Sequence, residues 1–98
     1  MIKMSNKALR TALLKGVNEY ATYAHESDWA RGAFDAYAEA FSEASYAFIR
    51  EATFFAARTC VETWCESVFD MYDSNTRPSD YLRGFHYAAV EIGNMFED

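Results

Sequence analysis

The chain has 98 residues, 51% hydrophobic and 17% aromatic, with nine basic against 15 acidic side chains and a net charge of −6. That length holds one domain, and the apolar content excludes a disordered chain. One proline and four glycines exclude a turn-rich all-β domain, and a pI near 4.8 speaks against direct phosphate binding, which calls for basic surface.

The first predicted helix covers residues 6–24. Ser5 is its N-cap, a hydroxyl able to accept an orphan backbone N–H. Leu9, Leu13, Val17, Tyr20 and Ala24 recur every three or four residues as one apolar stripe, with Leu14 adding core material. His25-Glu26-Ser27 is the turn. Ser27 caps the next helix, and Asp28 sits in its first turn, where the helix dipole favours an anion.

From Asp28 to Tyr72 there is no proline and one glycine, Gly32. The pattern predicts one helix over about 28–72, roughly 67 Å long if straight. Phe34, Phe41, Phe48 and Phe55 fall at every seventh position, flanked by Ala30, Tyr37 and Ala44. Beyond Arg50 the apolar side passes to Phe54, Ala57, Val61, Trp64, Val68 and Met71. On a helical wheel this side is rotated by roughly 150° from the first. A break near residues 50–53 is the alternative, but the stretch contains no helix breaker, which favours continuity.

Asp73-Ser74-Asn75-Thr76-Arg77-Pro78 reads as a loop, rich in side chains that compete for backbone hydrogen bonds. The last predicted helix covers 79–97, with Leu82, Phe85, Ala89, Ile92 and Phe96 as a core stripe and Tyr81, Ala88 and Met95 beside it. The expected fold is therefore all-α. Three helices form it: a long central helix and two shorter antiparallel ones, packed on opposite faces of its two halves. So flat a chain cannot bury eight Phe and seven Tyr, so a homodimer or another partner is expected to cover the remainder.

No phosphate-loop, nucleophile-elbow, zinc-protease or calcium-loop motif occurs. Cys60 and Cys65 are five apart, about 140° on a helix, too divergent for a bridge and without zinc spacing. His25 is preceded at the Glu-x-x-His spacing by Thr22 and His86 by Arg83, so no carboxylate-bridged metal pair is formed. The expectation is no enzyme, no metal and no cofactor. With two reduced thiols, no apolar run behind Lys3 and no stretch long enough to span a membrane, the expected location is cytoplasmic. Met1 and Met4 are both candidate starts.

Residues 51–98 hold nine acids against Arg58, Arg77 and Arg83, so that half carries the whole net charge, and the first half is neutral. Glu62, Glu66, Asp70 and Asp73 form a helical row. Its plain reading is a solvated face; its functional reading is a row that imitates nucleic-acid phosphates toward a basic cleft. Trp29, Trp64, Tyr72, Tyr81 and Tyr87, with Arg31 and Arg83, are the side-chain types concentrated at binding hot spots. They are the candidate aromatic and arginine contacts of a protein partner.

Ser27-Asp28-Trp29-Ala30-Arg31-Gly32 is echoed by Ser79-Asp80-Tyr81-Leu82-Arg83-Gly84, and the echo extends to Ala36 with Ala88 and Glu39 with Glu91. It describes one good helix opening used twice: a Ser cap, an Asp for the dipole, an Arg in reach of it, and a Gly for close backbone approach. This short, acidic, all-helical chain with a Ser-Asp-Tyr-x-Arg-Gly-Phe opening (Ser79–Phe85) resembles small accessory proteins of phages and other mobile elements. The resemblance covers Ser27–Glu39 and Ser79–Glu91. It implies a non-catalytic protein that binds a host protein complex, such as a defence nuclease or other nucleic-acid-processing enzyme, and inhibits or redirects it. Direct nucleic-acid or membrane binding is not expected. The alternative is a self-assembling helical homo-oligomer with a scaffold role.

Overall fold

A computed structural model describes residues 5–51 and 54–96, apart from the side chains of Asn6, Phe48, Arg50, Glu51 and Phe54. Among the described residues there are four α-helices and no strand: α1 (Asn6–Ala21), α2 (Asp28–Glu51), α3 (Phe54–Asp73) and α4 (Asp80–Asn94). The three serines cap as their positions suggest. Ser5 Oγ accepts from the Ala8 N–H at 3.1 Å, Ser27 Oγ from Ala30 at 3.0 Å and Ser79 Oγ from Leu82 at 3.2 Å. The first helix is shorter than 6–24, because the chain turns after Ala21: Tyr23 N–H donates to Tyr20 O and Glu26 N–H to Tyr23 O. The last runs from Asp80 to Asn94, not 79–97; Met95 and Phe96 form a turn, and residue 97 lies outside the described residues.

The long central helix over 28–72 is two helices. α2 ends at Glu51 and α3 begins at Phe54; Ala52 and Thr53, within the alternative break at 50–53, lie outside the described residues. The chain reverses between the two. Trp64 Nε1 donates to Glu39 Oε1 at 3.3 Å, whereas 25 residues of straight helix would separate them by roughly 37 Å. The molecule's longest dimension is 37 Å, against the roughly 67 Å of an unbroken helix.

The reversal accounts for the rotated apolar stripe. Val61, Trp64 and Val68 of α3 turn back onto the same core as α2, so there is one core and not two opposed ones. The three heptad phenylalanines with described side chains, Phe34, Phe41 and Phe55, do not form its centre; the Phe48 side chain lies outside the described residues. Ala33, Ala36, Ala40, Ala44 and Ala47 are the buried line of α2, while Phe34 and Phe41 are half-buried and Phe55 is 78% exposed. Small side chains there let neighbouring helices approach closely; of the large rings, Tyr37 is buried beside them and Phe34 and Phe41 lie at the edges. Leu9, Leu13, Ala57, Cys65, Phe85, Ala88, Ala89 and Ile92, with Tyr37, complete the core, but Leu14 faces outward.

α4 does not simply cover the second half. It packs most extensively on α2 and less on α3, while α1 lies on α2. A Cβ on Gly32 would fall on the Tyr81 carbonyl oxygen, and one on Gly84 on the Trp29 carbonyl oxygen. Trp29 and Tyr81 are counterparts in the 52-residue echo, so this is one contact seen from both sides. The same offset carries Ala21 onto Asp73 and Asp28 onto Asp80, the ends and starts of the helices. It also pairs Leu9 with Val61, both fully buried. The chain is thus two helical hairpins, α1–α2 and α3–α4, each with a six-residue connection. Their second helices cross at paired glycines, in the self-complementary way a local twofold axis produces.

Candidate protein-binding surface

α3 and α4 leave an open groove of about 610 Å³ between them. On the α3 side lie Glu62, Cys65, Glu66, Phe69 and Asp73; on the α4 side lie His86, Val90, Gly93 and Asn94. Both sets recur at three and four, so each is one face of its helix. Arg58 and Phe96 form one end. There Arg58 Nε donates to Glu62 Oε1 at 2.6 Å and Arg58 Nη2 to the Phe96 carbonyl at 3.2 Å, with the guanidinium 5.4 Å from the Phe96 ring centre. Elsewhere His86 is held by rings: Tyr72 stacks on it at 3.9 Å and Phe69 meets it edge-on at 5.7 Å.

The acidic row therefore divides. Glu62, Glu66 and Asp73 line the groove, whereas Asp70 is exposed outside it. The aromatic and arginine set does not form one surface. Trp29 packs half-buried between Tyr20 at 6.0 Å and Tyr87 at 5.1 Å. Tyr81 donates its hydroxyl to Asp35 Oδ2 at 2.6 Å. Trp64 is 9% exposed and packs on Phe85, so its ring belongs to the core and is not offered to a partner. Tyr72 borders the groove through its stack on His86. Arg31 is exposed, and Arg83 lies 3.6 Å from Asp80 on the surface. Phe69, Val90 and Gly93 read in the sequence as ordinary helix filling and His86 only as a rejected metal ligand; the α3–α4 seam is what makes them neighbours.

The remaining polar groups of the interior hold the hairpins together. Glu91 Oε1 accepts from the hydroxyls of Tyr20 at 3.2 Å and Tyr37 at 3.1 Å. Burial first, and then the Glu91 carboxylate, push the Tyr20 phenol up to about 12 and the Tyr37 phenol higher still. Burial and the bond to Asp35 raise Tyr81 to about 12. The Cys65 thiol points at the Ala89 carbonyl oxygen at 3.6 Å, and burial pushes it up to about 11. It stays protonated at neutral pH, the state least suited to nucleophilic attack. Among the described residues no three His, Cys, Asp or Glu side chains come close enough to hold a metal ion. Nor is any helix there long and apolar enough to cross a membrane.

The groove brings Phe69 and Val90 together with the carboxylates of Glu62, Glu66 and Asp73. No protein-family model, curated protein or solved structure matches this chain.

Proposed function

We propose that the chain is a non-catalytic protein-binding module, a phage-type accessory protein that binds a host protein complex and inhibits or redirects it. Such a complex is, for example, a defence nuclease or another nucleic-acid-processing enzyme. The observation that carries this reading is the α3–α4 groove, where Glu62, Glu66 and Asp73 stand beside Phe69 and Val90. Proteins that handle nucleic acids present basic clefts, and a surface of opposite sign steers onto them and fixes register. The concentration of net negative charge in residues 51–98 supports the same choice.

The test is affinity capture of bacterial protein complexes on the whole chain, with Glu66→Lys and Val90→Arg variants in parallel. A captured nucleic-acid-processing complex that the variants fail to retain, and whose activity falls when the chain is added, is the expected result. Retention of the same proteins by wild type and variants would overturn the reading.

One observation favours a second reading, self-assembly. Tyr46, Ile49 and Phe55 are 59%, 81% and 78% exposed at the α2–α3 corner, and exposed apolar side chains in proximity mark association surfaces. Light scattering separates the two readings. A dimer lost on Ile49→Lys supports the scaffold role, and a monomer at high concentration removes it.

A further inference from the structure

Gly93 is unlike the glycines at the helix crossings. A Cβ at Gly32 or Gly84 would strike backbone, and one at Gly16 would strike the Tyr37 ring. At Gly93 it would meet only Phe69 Cζ at 3.8 Å, an ordinary contact. Nor does its backbone adopt the left-handed conformation that calls for glycine. A helical glycine costs stability relative to alanine, and neither packing nor conformation accounts for this one. Gly93 lines the α3–α4 groove with Phe69 and Val90, and its missing side chain leaves that stretch of the lining open.

The walls carry charge to match. Glu62 is already engaged by Arg58. Glu66 and Asp73 are exposed, and no cation among the described residues lies within ion-pair distance of either. The lining on α3 extends from Arg58 to Asp73, about 22 Å of helix. A space of about 610 Å³ holds side chains from one face of a helix, not a whole one.

Resting on the protein-binding reading, we infer that the groove receives one face of a cationic amphipathic helix from the partner protein. An apolar side chain of that helix seats over Gly93 between Phe69 and Val90. Its Lys or Arg side chains lie along the wall and meet Glu66 and Asp73. This is helix-in-groove recognition, with anchors at every third or fourth residue, and the long basic side chains cover apolar surface while their heads reach the carboxylates.

The experiment titrates the isotope-labelled whole chain with two synthetic amphipathic helices of about 15 residues, one built from Leu and Lys, the other from Leu and Glu. Backbone amide shifts report the site. The Leu/Lys helix is expected to shift α3 and α4 around Phe69, Val90 and Gly93, and to bind at least tenfold more tightly than the Leu/Glu helix. Raising salt should erode that difference. Gly93→Leu, which fills that opening, and the pair Glu66→Lys with Asp73→Lys should each weaken binding about tenfold, with melting curves verifying that the variants fold. Equal binding of the two helices, shifts elsewhere, or indifference of a folded Gly93→Leu variant overturns the inference. If the helices fail yet a host complex is captured in a Glu66-dependent way, the groove-helix inference alone falls. If the Leu/Lys helix binds as expected and no host complex is captured, the inference stands and the host-complex reading falls.

Discussion

A methyl group on Gly32 or Gly84 has nowhere to go, because a backbone carbonyl of the opposite helix occupies its place. Backbone cannot swing aside as a flexible side chain can. Gly32→Ala and Gly84→Ala should therefore each lower stability by about 1–3 kcal/mol, read as a shift in the denaturant midpoint. Gly93→Ala should do the reverse and add about 0.5–1 kcal/mol, since nothing opposes its methyl group. The tyrosines make a second test at this scale. An unfolded tyrosine ionises near 10, whereas Tyr20 and Tyr81 in the fold are pushed up to about 12. Between those values the unfolded chain holds fewer protons than the folded one, so stability is complete below pH 10 and is lost as pH rises toward 12. Alkaline denaturation followed alongside tyrosinate absorbance should show this loss. A Tyr37→Phe variant should reduce it by removing one such group, and an unchanged profile would contradict the hydrogen-bonded site at Glu91.

Each helix has a face whose burial can be tried in isolation. Trp64 is the large side chain that α3 sets against Phe85 and Glu39, and Trp64→Ala should cost about 3–5 kcal/mol. Phe55, the second residue of the same helix, is exposed, and Phe55→Ser should move stability by no more than about 0.5 kcal/mol. Thermal melting of the two variants compares them directly. If both cost the same, α3 is not oriented with its Val61–Trp64–Val68 side inward. At the helix starts, Ser27→Ala and Ser79→Ala should each cost about 1 kcal/mol, because each removes a hydroxyl that accepts a first-turn N–H. Much of this was legible in the sequence: the three serine caps, the loop, read at 73–78 and found at 74–79, and the α4 stripe through Phe85, Ala89 and Ile92. The heptad of phenylalanines was misleading. Seven-residue spacing shows that rings share a side of a helix, but not whether neighbours approach closely enough to bury them. In α2 it is the alanines that neighbouring helices approach.

As a whole the molecule is a pair of hairpins folded on each other, with a radius of gyration of 13.2 Å. A compact chain of this length should have about 12.6 Å. A rod containing an unbroken helix of roughly 67 Å would give a value nearer 19 Å. Small-angle scattering of the monomer therefore decides between the folded-back arrangement and a continuous central helix, with a value near 13 Å expected. The groove depends on that folding back. Glu62, Glu66 and Asp73 are a row on any helical reading of α3, but Val90 and Gly93 come beside them only because α4 returns along the same edge.

Local chemistry was enough to establish the helical class, the starts of α1, α2 and α4, the neutral first half and acidic second half, and the row of carboxylates. Those properties depend on neighbours a few residues apart. The reversal between Glu51 and Phe54, the alanine-lined centre and the groove were decided by tertiary structure. No residue in that junction stops a helix, so local preference permits the chain to continue straight. A straight helix would leave the apolar side of α3 facing away from that of α2, in water. Turning back lets Val61, Trp64 and Val68 share one core with α2 and α4. That gain comes from contacts more than twenty residues apart, such as Trp64 with Glu39, which no local pattern contains.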